Sequence, residues 1–310
     1  MQISAVIITK NEERNIERCL QSLQGVVDEV IVVDSFSTDN TESICQQYHV
    51  KFFQKEWLGY AEQKNYANSL SENDLILSID ADEALSEELR TSILSIRHCG
   101  FDPQYSLYFQ EIPASAGMTA LGVRHCGFDP QSPDNKEIPH QVRNDESPLN
   151  FVCQINRLTN YCGKWIYHCG WYPDKKIRIF NRNTAKWTGT VHETLSYSSD
   201  NEIILLKGNL HHYSYYSIAE HIAQANKYST LAAEEYFEKN KKYSILAIIF
   251  KSIWRFKRDY FFKGGFLDGF YGFVICHISA ITSFLKYMKL KQLYKNKKYN
   301  DSPSKKNIPI

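Results

Sequence analysis

No Cys-x-x-Cys pair occurs in the chain, although it carries eight cysteines. Cys19, Cys45, Cys99, Cys126, Cys153, Cys162, Cys169 and Cys276 lack the tight ligand spacing of a structural zinc site, so they read as scattered thiols in a reducing compartment. Gly-x-Gly-x-x-Gly is absent, and so is a Gly-Lys-Ser/Thr phosphate loop, which disfavours dinucleotide and P-loop enzymes. Neither sign of charge is in excess: 36 Lys and Arg oppose 35 Asp and Glu. Bulk electrostatics therefore supplies no reason to expect a nucleic-acid partner, although the C-terminal third is richer in Lys. Long apolar runs are scarce. Gly269 to Leu285 falls short of the roughly twenty residues that a spanning helix needs and carries His277. The start, Ile3 to Ile8, has neither a basic leader nor a small-residue cleavage site, so no export is expected.

What is present is an alternation. A chain of 310 residues can bury a substantial core, and one large catalytic domain with an appendage is expected. β-branched runs at Ile3 to Thr9, Glu29 to Val33, Val50 to Gln54 and Leu75 to Ile79 read as strands. Between them lie helical patterns: Ile16, Cys19, Leu20 and Leu23 with Asn11 as cap, a helix from Asp39 to about Tyr48, and a third over Gly59 to Leu70. This is the form of an α/β fold, a parallel sheet covered by helices, expected to occupy 1–96.

After a helix beginning near Ser86, Arg-His-Cys-Gly-Phe-Asp-Pro-Gln appears at Arg97 to Gln104 and again at Arg124 to Gln131. Residues 97–150 are rich in Pro, Gly, Asn and Ser without sustained periodicity and resemble a translated bacterial interspersed repeat, read here as a disordered insertion. Patterning resumes over 151–240, with a strand at Ile177 to Phe180 and a long helix through Ile218, Ile222, Ala225, Tyr228 and Ala232. Residues 241–292 interleave aromatics with Lys and Arg, which suits helices lying on an anionic cytoplasmic leaflet or packed on the catalytic domain. The tail, 293–310, is expected to be disordered.

The chemistry concentrates at strand ends. Asp80-Ala81-Asp82 follows an apolar strand directly, and ligands of open α/β sheets collect at such carboxyl ends. Two hard oxygen ligands there suit Mg²⁺ or Mn²⁺ bridging to a diphosphate; a solvated loop is the plain alternative. Asp34 ends the second strand, where its carboxylate can accept hydrogen bonds from a base or ribose, while Asp39 serves as the helix cap. Trp165, Trp171 and Trp187 could stack on sugars or pack in the core, and Arg178 could hold a diphosphate or form a surface ion pair.

Val6-Ile7-Ile8-Thr9-Lys10-Asn11-Glu12, Val32 to Asp39, Gln63-Lys64-Asn65-Tyr66-Ala67 and Ser78-Ile79-Asp80-Ala81-Asp82-Glu83 together resemble the successive motifs of family 2 glycosyltransferases of the GT-A fold. The similarity continues past the insertion through Trp187-Thr188-Gly189-Thr190-Val191-His192-Glu193 and into Phe262 to Phe273, nearest to the lipopolysaccharide core β-glucosyltransferase subgroup.

That resemblance implies a GT-A sheet with flanking helices and an inverting hexosyl transfer. The donor is a UDP-sugar, expected to be UDP-glucose, met by Thr9, Asn11, Glu12, Asp34, Lys64, Asp80 and Arg178. The metal falls to Asp82 with help from Asp80, and His212 completes the metal or diphosphate site. Glu193 is the candidate general base, with His192 as base or as its orienting partner. The acceptor is a glycolipid of lipopolysaccharide core type, met at the cytoplasmic face of the inner membrane of a Gram-negative bacterium. Transfer to a polyprenyl phosphate, or a silent nucleotide-binding relic damaged by the insertion, are the alternatives.

Overall fold

Four runs of β-branched and aliphatic residues near the start become the buried strands that organise the molecule. A computed structural model of the chain describes residues 1–99, 151–189 and 193–300. β1 (Ile3–Thr9), β2 (Glu29–Asp34), β3 (Lys51–Gln54) and β4 (Leu75–Ser78) form a parallel sheet in the order β3-β2-β1-β4. Val6 is registered opposite Ile31 on one side and Ser78 on the other. Helices α1 (Ile16–Leu23), α2 (Thr41–Gln46) and α3 (Tyr60–Ser69) follow β1, β2 and β3 in turn, the connection that parallel strands require, and α4 (Glu87–Cys99) comes after the next short strand, Glu83–Leu85. α1 buries Ile16, Cys19, Leu20 and Leu23, the face its spacing predicts.

Further strands are β5 (Glu83–Leu85), β6 (Phe151–Tyr161), β7 (Lys164–Ile166), β8 (Asp174–Asn181) and β11 (Glu202–Tyr215), while β9 (Ala185–Thr188) and β10 (Thr194–Tyr197) form a separate antiparallel pair. The large sheet continues from β4 as β8-β6-β11-β5, with β7 on β6. Its mixed character starts where β8 runs antiparallel to β4, Leu75 opposite Asn181.

The chain divides into two units. The first comprises 1–81, 85–155 and 177–208. Its core joins Val6, Ile31, Val33, Ile76, Phe180 and Trp187, and burial of each such side chain contributes about 1.5–3 kcal/mol before the entropic cost of ordering. Gly208 has φ +88, and a Cβ there would meet the Leu89 backbone nitrogen, so glycine is what lets β11 pass α4 this closely.

The second unit comprises 82–84, 156–176 and 209–310. Tyr161 lies at its centre, fully buried, with edge-on contacts to Trp171, Tyr215, His221 and Tyr271 at 5.3–5.9 Å. Three helices follow: α5 (Ile218–Glu238), α6 (Ile245–Lys257) and α7 (Gly269–Asn300). Ser217 caps α5 by accepting from the Glu220 amide at 3.2 Å, and Glu220 accepts from the Tyr216 amide at 2.8 Å, a reciprocal arrangement close to a capping box. A π-helical turn, Arg258–Phe262, and a 3₁₀ turn, Gly265–Asp268, join α6 to α7.

Several expectations are corrected. Asn11 does not cap α1, whose N-cap is Asn15, its side-chain amide donating to Glu12 Oε2 at 2.8 Å; the Asn11 side-chain oxygen instead accepts from the Thr38 amide at 2.8 Å. α2 runs over Thr41–Gln46 rather than from Asp39 to Tyr48, and its N-cap is Asn40 rather than Asp39, which instead accepts from the Thr41 amide at 3.0 Å. α4 runs to Cys99 and α7 to Asn300, past the boundaries expected at 96 and 292. Continuous with the 3₁₀ turn before it, the C-terminal helical segment Gly265–Lys297 is long and apolar enough to cross a membrane by length and composition, so length is no argument against a span. The remainder of the duplicated segment, 100–150, and the last ten residues lie outside the described residues.

Among the described residues Cys19, Cys45, Cys153, Cys162, Cys169 and Cys276 form no disulfide. Burial pushes the Cys153 thiol up to about 12. Burial, with the nearby Asp34 and Glu42 carboxylates, does the same at Cys45. Such thiols stay protonated and unreactive.

Candidate active site

In the first unit, three parallel strands deliver polar side chains to one edge. Thr9 ends β1 and is registered opposite Asp34, the last residue of β2. Asp34 is fully buried and accepts from the Ser37 amide at 2.7 Å and from the Ser37 hydroxyl. This bends the following loop so tightly that Phe36 takes φ 56 while remaining exposed, an uncommon conformation for a bulky residue and one that clusters at functional sites. The β1–α1 loop is tied to the same turn. The Asn11 amide donates to Ser37 Oγ at 2.7 Å and the Glu12 amide to Thr41 Oγ1 at 2.8 Å. Among the described residues Thr9 Oγ1 is buried without a hydrogen-bond partner, leaving a donor and an acceptor at this edge.

α3 explains the Gln63-Lys64-Asn65 run. Gln63 donates to Ser35 Oγ at 3.2 Å. Asn65 exchanges two bonds with the Trp187 backbone, at 2.8 and 2.9 Å. Between them Lys64, 4% exposed, places its ammonium 3.1 Å from Asp80 Oδ1, 3.4 Å from Glu193 Oε1 and 4.7 Å from the Trp187 ring centre. One helix thus anchors to the β2 loop, the β4 loop and the β9 strand through consecutive residues. α3 buries Gln63, Lys64 and Asn68, and buried polar side chains need partners.

Asp80 follows β4 and is held from two sides. Arg178, on β8 and 4% exposed, donates from Nη2 to Asp80 Oδ2 at 2.8 Å, so it is a buried partner rather than a surface ion pair. Burial alone would raise the Asp80 carboxyl, but the Arg178 guanidinium and the Lys64 ammonium outweigh it and hold it well below the usual carboxylate range. Glu193 lies immediately before β10 and is brought to Lys64 from 129 residues away. Its neighbour His192 lies outside the described residues.

The second unit by itself holds another pair. His212, on β11, places Nε2 3.2 Å from Asp82 Oδ2 and Nδ1 3.5 Å from Thr159 Oγ1. The Tyr213 amide donates to the Asp82 carbonyl at 2.9 Å, fixing the backbone that carries the carboxylate. Beside it, buried Glu83, the last residue of the quoted motif, meets Arg157 at 3.6 Å, and Arg157 is bound to Asp174 at 2.6 Å; Arg157 and Asp174 lie outside every motif.

A divalent cation fits Asp82 and His212 as donors. Two adjacent ligands of an octahedral ion at about 2.1 Å are about 3 Å apart, and these two atoms are 3.2 Å apart. Among the described residues no group of three His, Cys, Asp or Glu is placed to hold a metal, so other ligands would be substrate oxygens or water, as is usual for Mg²⁺. Both Asp80 oxygens are already engaged by cationic side chains, which favours an anchoring role for Asp80 in this arrangement. Of the tryptophans, Trp187 packs edge-on to Phe180 at 5.9 Å, Trp171 lies against the Tyr161 cluster, and Trp165 stacks on His211 at 4.3 Å.

The profile of "Glycosyl transferase family 2" matches residues 4–95. A protein of Rickettsia felis named as an uncharacterized glycosyltransferase is 35% identical over 299 residues, covering 94% of this chain and 90% of the relative. The lipopolysaccharide core biosynthesis glycosyltransferase LpsC of Rhizobium meliloti is 26% identical, with 94% and 93% covered. Among solved structures, glucosyl-3-phosphoglycerate synthase from Mycobacterium tuberculosis, in complex with Mn²⁺, uridine diphosphate and glucosyl-3-phosphoglycerate, is 27% identical with a TM-score of 0.28 over 31% of this chain and 39% of that chain.

Proposed function

Since this chain belongs to glycosyl transferase family 2, we propose that it moves a hexose, glucose from UDP-glucose, onto a sugar hydroxyl of a lipopolysaccharide-core type glycolipid, with inversion. Family membership and the strand order agree on the GT-A type of α/β fold expected from the motifs. The acceptor class is supported by the full-length relationship to LpsC. It implies work at the cytoplasmic face of a Gram-negative inner membrane.

The observation that carries the reading is the position of Lys64. Its ammonium touches both Asp80, at the donor edge of the sheet, and Glu193, the candidate base. A single displacement needs this proximity. The acceptor oxygen forms a bond to the anomeric carbon while the bond from that carbon to the UDP phosphate oxygen breaks, its electron pair leaving with UDP. The hydroxyl proton passes to the Glu193 carboxylate, which the Lys64 contact orients, or to His192. Asp34 and the Thr9 hydroxyl would meet the nucleoside side of the donor, with Asn11 and Glu12 shaping the loop between. Arg178 and Lys64 offer charge to the diphosphate. Asp82 and His212 would hold Mg²⁺ or Mn²⁺, and the cation, when bound, neutralises charge on the departing diphosphate.

The test is UDP release over a panel of UDP-sugars and purified core acceptors, with Mn²⁺ and with a chelator. Acceptor-dependent release from UDP-glucose, lost on chelation and giving a β-linked product by NMR, is the expected result. No acceptor-dependent release from any donor overturns the proposal.

A further inference from the structure

The helices of the second unit leave large apolar side chains uncovered. Leu246 is 80%, Phe250 68%, Phe262 75% and Phe270 68% exposed. Along α7, Phe273, Ile281, Phe284 and Met288 continue an exposed stripe, their spacings of eight, three and four residues keeping them on one helix face. Trp254 and Phe262 touch at 5.8 Å, and Phe256 and Phe273 at 6.1 Å, so the faces of α6 and α7 adjoin. A contiguous apolar surface of this kind marks an interaction site.

Charge identifies the occupant. Between Lys239 and Asn300 the only acidic residues are Asp259 and Asp268, and both are buried. Asp259 is held by Arg255 at 2.7 Å and Arg258 at 2.8 Å. Asp268 accepts from the His168 amide at 2.8 Å. Exposed Lys251, Lys257 and Lys263 interleave with the apolar side chains. A second copy docking through this face would set lysine against lysine, whereas an anionic lipid surface complements it.

The packing of α5 decides orientation. Ile218 packs in the cluster that holds Ile275 of α7, and Lys289 Nζ donates to the Asn226 carbonyl at 2.8 Å. A crossing α7 would therefore carry α5 along, with its exposed Glu220 and Lys227, into hydrocarbon, where such charges are costly. We infer that the second unit binds an anionic bilayer in the plane of its surface, inserting the α6–α7 apolar face and ringing it with lysines, without spanning. This supplies a partner to the proposed function and rests on that reading only for the glycolipid acceptor.

The test is co-sedimentation of the full chain with vesicles of phosphatidylcholine alone and mixed with phosphatidylglycerol. Strong binding to the mixed vesicles, release by alkaline carbonate, and weak binding to neutral ones are expected. Phe250→Ser with Trp254→Ser should abolish binding. Lys251→Gln with Lys257→Gln should weaken it roughly thirtyfold on anionic vesicles only. Circular dichroism and UDP release with a soluble core oligosaccharide should remain unchanged in both variants, which separates this inference from failure of the catalytic reading. It is overturned by retention after carbonate treatment, by equal affinity for both vesicle types, by absence of binding, or by a dimer in sedimentation velocity that Phe250→Ser with Trp254→Ser dissolves.

Discussion

Arg178 Nη2 lies 2.8 Å from Asp80 Oδ2, joining residues 98 positions apart in a contact whose cation is almost fully buried. A buried ion pair of this kind contributes little relative to an apolar replacement of both partners, but breaking it from one side is costly. Arg178→Met is expected to lower stability by roughly 3 kcal/mol. Arg178→Met with Asp80→Asn should lose less than the sum of the single changes, by about 1–2 kcal/mol. Urea denaturation of the four proteins in the cycle measures this, and additive losses would remove the coupling.

Asp82 and His212 carry the prediction for the cation. Asp82→Ala should eliminate the Mn²⁺-dependent part of UDP binding in calorimetry and all metal-dependent turnover. His212→Ala, which removes one donor and leaves Asp82 in place, should weaken the same Mn²⁺-dependent binding by roughly tenfold or more. Unchanged Mn²⁺-dependent affinity in both variants would remove the pair from the metal site.

Glu193 distinguishes the two candidate bases. Glu193→Gln keeps the size and an oxygen for Lys64 but cannot take a proton, and should reduce kcat by about 10²–10⁴ with little change in donor KM. If turnover survives while His192→Ala abolishes it, the proton goes to the histidine.

His221 predicts a pH dependence of stability. Burial lowers it from the ordinary 6.5 to about 4, beside the Tyr161 hydroxyl at 3.0 Å. Above about 6.5 the imidazole is neutral in both folded and unfolded chains. As pH falls below that, the unfolded chain takes up a proton that the folded one does not, so stability falls until about pH 4, by roughly 3 kcal/mol in all. His221→Phe should flatten this window in urea titrations. Asp80, whose carboxyl is depressed, acts lower: its contribution is present above the ordinary carboxylate value and is lost only in stronger acid.

Much of the first unit was legible because its strands are runs of β-branched residues and α1 repeats its apolar face at helical spacing. β9 and β10 were not foreseen. They are four residues each and bury only alternate positions at most, too short for a periodic signal to stand out. Asn11 was misread because an Asn before a helical pattern has the chemistry of a cap; its amide found a partner in the β2–α2 turn instead. Lys64 was placed near the donor site by motif, but its role as the link between Asp80 and Glu193 depends on a contact across 129 residues.

The sequence by itself determined the first four strands and the helices between them, the carboxyl-edge positions of Asp34 and Asp80, and the uncompensated basic character of the C-terminal helices, because backbone periodicity and charge are local properties. Only the tertiary structure decided that Arg178 and Lys64 share Asp80, that Glu193 meets Lys64, that His212 faces Asp82, and which side of α7 is left uncovered. Those outcomes depend on how strands and helices distant in the chain pack, where each buried polar group takes whichever partner the fold brings within reach.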